Sequence, residues 1–157
     1  MKSHPEIGTI APMFEAQVVG GPYEEPAWVR LSELIGKPLV LYFYPKDDTP
    51  GCTKQACAVR DGWDEISSKA TLFGVSIDSI KSHQKFIAKH RLPFPILSDP
   101  EHQIAEAYGV WVEKSMYGKT YMGVERSTFV IGSDGVIQAV LAKVKPEEHF
   151  AKVLEWL

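Results

Sequence analysis

The chain has two cysteines, Cys52 and Cys57, and both lie in the stretch PKDDTPGCTKQAC, residues 45–57. Sulfur at that spacing admits a structural disulfide, a metal clip or a redox pair that works in sequence. On one regular α-helix, a five-residue separation means a rise of about 7.5 Å and a rotation of about 140°. The two Cα atoms would then stand roughly 8–9 Å apart, beyond the limit of about 7 Å for a disulfide. A staple placed there would break the element it staples. Zinc sites use cysteine pairs about two to four residues apart together with a second pair of ligands. Here the histidines, at positions 4, 83, 90, 102 and 149, show no HxxxH spacing, and most read as solvated surface residues. A thioredoxin-type oxidoreductase has C-x-x-C, whereas four residues separate this pair. There remains a sequential cycle, in which Cys52 meets an oxidant first and Cys57 condenses with the product.

The setting of Cys52 suits a nucleophile. An apolar run, Leu39 to Tyr44, ends just before it and a helical pattern begins just after it. The first turn of a helix presents unpaired N–H groups and the positive end of its dipole, so a thiolate there is favoured over the thiol. Thr49 brings a hydroxyl close to the sulfur, and Gly51 leaves room for a small substrate to approach the backbone. The competing reading is an inert cysteine at the head of an apolar stripe, since free cysteine is commonly buried. Trp63 and Trp111 read as core or site-wall residues, and Lys46, Asp47 and Asp48 as a solvated loop.

These residues must be positioned by the elements around them. KPLVLYFYPKD contains an unbroken, aromatic-rich run bounded by prolines, the pattern of a strand buried on both faces. From Thr53 to about Ala70 the chain reads as one helix, with Cys52, Ala56, Val59, Trp63, Ile66 and Ala70 forming its apolar stripe. ATLFGVSID is a second buried strand, followed by an amphipathic helix from about Ile80 to His90. FPILSD is a short strand, EHQIAEAYGV a short helix stopped by Gly109, and RSTFVIGSDGVIQAVLAKV a hairpin turning at Ser133-Asp134-Gly135. KPEEHFAKVLEWL closes the chain as a helix. Ahead of the central strand, Ala11 to Gly21 carries weak strand patterning. Pro22 to Pro26 reads as a loop, and WVRLSELIG as a short strand with a turn or brief helix. The order gives an α/β fold with a mixed central sheet flanked by helices on both faces, a layout that resembles thioredoxin.

The 157 residues, 17.5 kDa, suit one domain over 1–157. A net charge of −3 gives no electrostatic reason to expect nucleic acid or an anionic membrane surface as a partner. No apolar run reaches the length of about 20 residues that spans a bilayer. Met1 to Pro5 lacks the apolar core of a secretory signal, which makes the cytosol the expected compartment. A permanent disulfide would be unusual there.

Pro45 to Cys52 matches Pxxx(T/S)xxC, and the chain resembles the peroxiredoxins that carry this signature. FYPKDDTPGCTKQACAVRD is similar to the bacterioferritin comigratory protein, or peroxiredoxin Q, subfamily, and GVWVEKSMYGKTYMGVERSTFVI, residues 109–131, to its second block. The resemblance implies that Cys52 is the peroxidatic cysteine and that Pro45, Thr49 and Arg126 complete its site. Arg126 read alone is more commonly an exposed strand-end arginine in a surface pair; its place just before the buried run STFVI and the resemblance favour a role in the site. The resemblance further implies that Cys57 attacks the Cys52 sulfenic acid to give an intramolecular disulfide, which thioredoxin or a similar dithiol donor reduces. Because the cysteines share a helix, disulfide formation is expected to unwind it. The substrates implied are hydrogen peroxide and organic hydroperoxides, with no haem, flavin or metal and no partner subunit, hence a monomer. Two departures are noted: Gln55 stands where many members carry Glu, removing a negative charge near the thiolate, and Val59 where an aromatic is frequent. The first step, a sulfenic acid, is shared by an enzyme and by a peroxide sensor.

Overall fold

Five consecutive buried residues, Leu39–Phe43, form the central strand, and alternate side chains enter two separate cores. Leu39, Leu41 and Phe43 join a cluster with Phe73, Tyr108 and Phe129. Val40 and Tyr42, continued by Tyr44, join another with Cys52, Ala56, Val59, Ile66 and Phe86. A strand apolar on both sides is thus used on both sides. The structure is a computed structural model that describes residues 3–157; Met1 and Lys2, part of the stretch read for a leader, lie outside the described residues.

In chain order the elements are β1 (Glu15–Gly20), β2 (Tyr23–Arg30), α1 (Leu31–Leu34), β3 (Leu39–Phe43), α2 (Pro50–Asp61), α3 (Trp63–Ser67), β4 (Thr71–Ser76) and α4 (Ile80–His90). They continue with β5 (Ile96–Ser98), α5 (Gln103–Ala107), β6 (Trp111–Met116), β7 (Lys119–Val124), β8 (Ser127–Ile131), β9 (Ile137–Leu141) and α6 (His149–Leu154). The main sheet runs β2-β1-β5-β4-β3-β8-β9. It is parallel at β3/β4 and β4/β5 and antiparallel at the other pairings, the mixed sheet expected. Among the described residues no helix is long and apolar enough to cross a membrane.

Several local expectations are corrected. The helix read over Thr53–Ala70 is two helices, parted at Gly62. A Cβ at Gly62 would lie 2.0 Å from Phe150 Cζ, so the α6 ring occupies the space a side chain would need, and the chain bends there. Cys52, Ala56, Val59, Ile66 and Ala70 still all enter one core. Residues 23–26, read as a loop, open β2. Pro26 is tolerated because β2 is an edge strand paired only with β1. The sequence pattern marks no element over residues 111–124, which form the β6–β7 hairpin, a ribbon paired only with itself.

Candidate active site

The sheet positions Cys52 by ending β3 at its feet. After Tyr44 the chain runs through a loop, Pro45 to Thr49, and enters α2 with Pro50 in the first turn. Pro50 lacks an N–H that would have no partner there. Cys52 therefore lies in the opening turn of α2, with its side chain turned into the core at 2% exposure. Cys57 is half-buried farther along the same helix, and both thiols are free. Since α2 is continuous over both, the separation of roughly 8–9 Å between their Cα atoms holds in this fold.

Arg126 is brought to the sulfur from the other end of the chain. It follows β7 and precedes β8, where two main-chain bonds fix the strand junction: Glu125 N–H donates to Val110 O at 2.7 Å and Val144 N–H to Arg126 O at 3.0 Å. Its guanidinium is forked. Nη2 donates to Cys52 Sγ at 3.3 Å, and Nη1 donates to Gln55 Oε1. The β6–β7 hairpin supports this junction from its base, where Val124 is buried and Trp111 packs against the core. The hairpin is therefore part of what aims the arginine.

Gly51 does not hold an open approach. A Cβ there would lie 3.2 Å from Arg126 Nη2 and 3.5 Å from Pro146 Cγ, so the glycine makes room for the guanidinium itself. Thr49 uses its hydroxyl hydrogen within the loop. Its hydroxyl donates to Lys46 O at 2.9 Å, closing the loop on itself, because Thr49 is extended (ψ 155) ahead of Pro50. Pro45 is half-buried beside these residues in the sequence.

Beneath the sulfur lies an aromatic layer. Tyr42 stacks on Tyr44 at 5.5 Å and lies 5.1 Å from the His149 ring. Burial, then the charges of Cys52 and Asp47, push the Tyr42 phenol well above its ordinary range, so it stays neutral. His149 donates or accepts at Thr128 Oγ1, 2.8 Å away, and burial followed by the Arg126 charge pushes its imidazole down to about 3. Lys114 is lowered by burial and then by Arg126. With the phenol and imidazole uncharged, the guanidinium is the fixed charge bonded to the sulfur.

Two of the five histidines depart from the solvated placement expected of most of them, while His4, His90 and His102 are partly exposed. His83 and His149 are wholly buried and none of the five is fully exposed. Asp47 is likewise buried, at 7% exposure, rather than part of a solvated loop. The local sequence reveals little of these placements: Tyr44 is a near partner of Asp47, but Ser82 and His83 lie 35 and 36 residues away. Gln55 is buried too, so its likeness to Glu matters through Arg126. Among the described residues no group of three or more histidine, cysteine and carboxylate side chains is placed to hold a metal ion.

The site is thus a cysteine at a helix start, bonded by a guanidinium delivered from a distant strand. The AhpC/TSA family profile matches residues 7–140. The peroxiredoxin Bcp of Bacillus subtilis is 48% identical over 153 residues, covering 97% of this chain and 94% of that protein. The chain belongs to the AhpC/TSA family, the peroxiredoxins. Solved structures place this peroxiredoxin within the Bcp and peroxiredoxin Q group. The bacterioferritin comigratory protein of Xanthomonas campestris superposes with a TM-score of 0.82 at 38% identity, covering 91% of this chain and 88% of that one. Peroxiredoxin Q of Xylella fastidiosa gives 0.84 at 34% identity, covering 99% and 96%. The thioredoxin-like α/β fold expected from the element order is the fold of these relatives. This peroxiredoxin is accordingly a thiol peroxidase, with a peroxide as substrate and a thiol as reductant.

Proposed function

We propose that this peroxiredoxin reduces hydrogen peroxide and organic hydroperoxides at Cys52, resolves the product with Cys57 in the same chain, and is regenerated by thioredoxin or a similar dithiol donor. The observation that carries the reading is the bond from Arg126 Nη2 to Cys52 Sγ at 3.3 Å, in the first turn of α2. The guanidinium and the helix terminus both favour the thiolate over the thiol. Its sulfur attacks the hydroxyl oxygen of the peroxide. An S–O bond forms as the O–O bond breaks, and the departing alkoxide or hydroxide takes a proton from water. Charge grows on that leaving oxygen, and the Arg126 N–H groups are donors that could stabilise it. Thr49 commits its hydrogen to Lys46 O and so offers lone pairs to the peroxide O–H. Pro45, rigid and without an N–H, screens the reacting sulfur from water.

Cys57 then attacks the sulfenic sulfur. An S–S bond forms, the S–O bond breaks, and hydroxide leaves as water after protonation. A dithiol donor returns both thiols by exchange and is itself left as a disulfide. The closure requires α2 to unwind, and the start of α2 is suited to it. Thr49 gives no side-chain cap, a loss of about 1 kcal/mol for a helix start, and Gly51 and Thr53 are weak helix formers. The far end is tied down, since Arg60 Nη1 donates to His90 O at 2.8 Å and Gly62 is packed under Phe150. Organic hydroperoxides are included because the Xanthomonas relative is described through its alkyl peroxide reduction activity. An intramolecular resolving thiol needs no second subunit, so the working unit proposed is a cytoplasmic monomer.

The test is peroxide-dependent NADPH oxidation with thioredoxin and thioredoxin reductase, comparing wild type with Cys52→Ser and Cys57→Ser. Sustained turnover that vanishes in Cys52→Ser, and a single fast oxidation without turnover in Cys57→Ser, are expected. Turnover that survives in Cys52→Ser would refute the assignment.

A further inference from the structure

The loop between β3 and α2 is held by a side chain for which the reaction as written has no use. Asp47 Oδ1 accepts from the Tyr44 phenol, while Oδ2 accepts the Ser82 hydroxyl at 2.8 Å and lies 2.6 Å from His83 Nδ1. On the other side of the ring, His83 Nε2 lies 3.1 Å from Leu97 O. A carbonyl oxygen only accepts, so Nε2 carries a hydrogen. Nδ1 faces a carboxylate oxygen, so a proton is shared between them as well. The two groups share that proton, both are buried, and neither leaves a polar atom unpartnered.

A buried polar pair of this kind is a poor device for stability, because apolar residues of equal volume commonly do as well or better. What this pair does achieve is orientation. Asp47 stands between Pro45 and Thr49, and its backbone N–H donates to Asp78 Oδ2 at 2.7 Å. That N–H and the Lys46 carbonyl belong to one planar peptide unit, so fixing the N–H aims the carbonyl to the opposite side. The Lys46 carbonyl is the acceptor of the Thr49 hydroxyl. The direction of the Thr49 lone pairs is thus set by a chain of contacts that begins on α4 and on Asp78, in the turn between β4 and α4. Asp48 adds an outer tie to the same helix, with Lys89 Nζ at 2.7 Å and His90 Nε2 at 3.0 Å.

We propose that Asp47 and His83 are positioning residues for the reaction at Cys52: by pinning the loop to α4 they set where the peroxide oxygens sit relative to the sulfur. This rests on the reading of Cys52 as the nucleophile. A misplacement of about 1 Å can cost about 100-fold in rate while leaving the attacking group chemically intact. The role therefore predicts a loss specific to peroxide, since alkylation by iodoacetamide needs the thiolate but no oriented O–O bond.

The experiment uses the full chain carrying Cys57→Ser, so that only Cys52 reacts, and measures its oxidation by hydrogen peroxide and its alkylation by iodoacetamide side by side. Asp47→Asn and His83→Gln are expected to slow oxidation about 10- to 100-fold and alkylation by no more than about twofold. Acting as one unit, the two changes together should cost no more than Asp47→Asn alone. Should those variants fail to fold, Ser82→Ala and Tyr44→Phe each remove one hydrogen bond to the same carboxylate, and each should slow oxidation more than alkylation. Oxidation and alkylation falling by the same factor, or neither falling, would overturn the proposal. A parent protein that does not react with peroxide at Cys52 would overturn the reading of the site together with this proposal, whereas a reactive parent with unaffected variants overturns this proposal alone.

Discussion

Arg126 Nη2 donates to Cys52 Sγ across 74 residues of sequence, while Nη1 of the same guanidinium donates to Gln55 one turn along α2. One rigid, planar cation is therefore held at two points of one helix, with its charge against the sulfur. A lysine has neither the fork nor the planarity to take both bonds. Arg126→Lys and Arg126→Ala should each lower the rate of Cys52 oxidation by peroxide about 100- to 1,000-fold, the scale for losing a donor aimed at developing charge. Stopped-flow oxidation of the reduced protein measures this.

Gly51→Ala tests the same contact from the helix side. The added Cβ would sit 3.2 Å from Arg126 Nη2, so the guanidinium must give by a few tenths of an ångström. Alanine is also the better helix former, worth up to about 1 kcal/mol. The variant should be as stable as wild type or more so, yet slower with peroxide by about tenfold. Thermal unfolding and single-turnover oxidation, run on one preparation, separate the two effects.

His149 makes stability depend on pH. Burial and the Arg126 charge hold its folded-state pKa down at about 3, against about 6.5 in the unfolded chain. Between those values the unfolded chain binds a proton here that the folded chain does not. The contribution of His149 is therefore complete above about 6.5 and is lost as pH falls towards 3, by up to about 1.4 kcal/mol per unit. Urea unfolding at about pH 7 and about pH 5 should show a smaller drop in His149→Gln than in wild type, by about 1–2 kcal/mol. Equal drops would contradict the assignment.

Oxidation should be visible as a loss of helix. Closing a disulfide between Cys52 and Cys57 is incompatible with their separation in an intact α2. Amide exchange over residues 50–57 should accelerate on oxidation of wild type by about 10-fold or more and stay nearly unchanged in Cys57→Ser. Exchange in α4 should hold steady in both, because its contacts with the loop do not involve the sulfurs.

Much of this was legible in the residues and some was not. The β3 pattern, unbroken and aromatic, is that of a strand between two cores, and the Cys52 to Ala70 stripe marks the face that α2 and α3 bury. The break at Gly62 was hidden because the Phe150 ring that fills the side-chain space there comes from the last helix. The β6–β7 hairpin carries a mixed pattern with exposed Met116, Tyr117, Tyr121 and Met122, since only its base reaches a core. PKDDTPGC displayed the cysteine proposed as nucleophile, but Asp47 looked like any loop acid. Its burial depends on Ser82 and His83, which only the parallel crossing from β4 into α4 brings beneath the loop.

Cys57 is proposed to close on oxidised Cys52 within one chain. The most direct measurement is peptide mapping of wild type and Cys57→Ser after one equivalent of hydrogen peroxide at high dilution, followed by alkylation of the remaining thiols. The account predicts a Cys52–Cys57 disulfide in monomeric wild type and a trapped Cys52 sulfenic acid in Cys57→Ser. Disulfide-linked dimers, or a wild-type chain in which Cys57 is still alkylated after Cys52 has been oxidised, would contradict it.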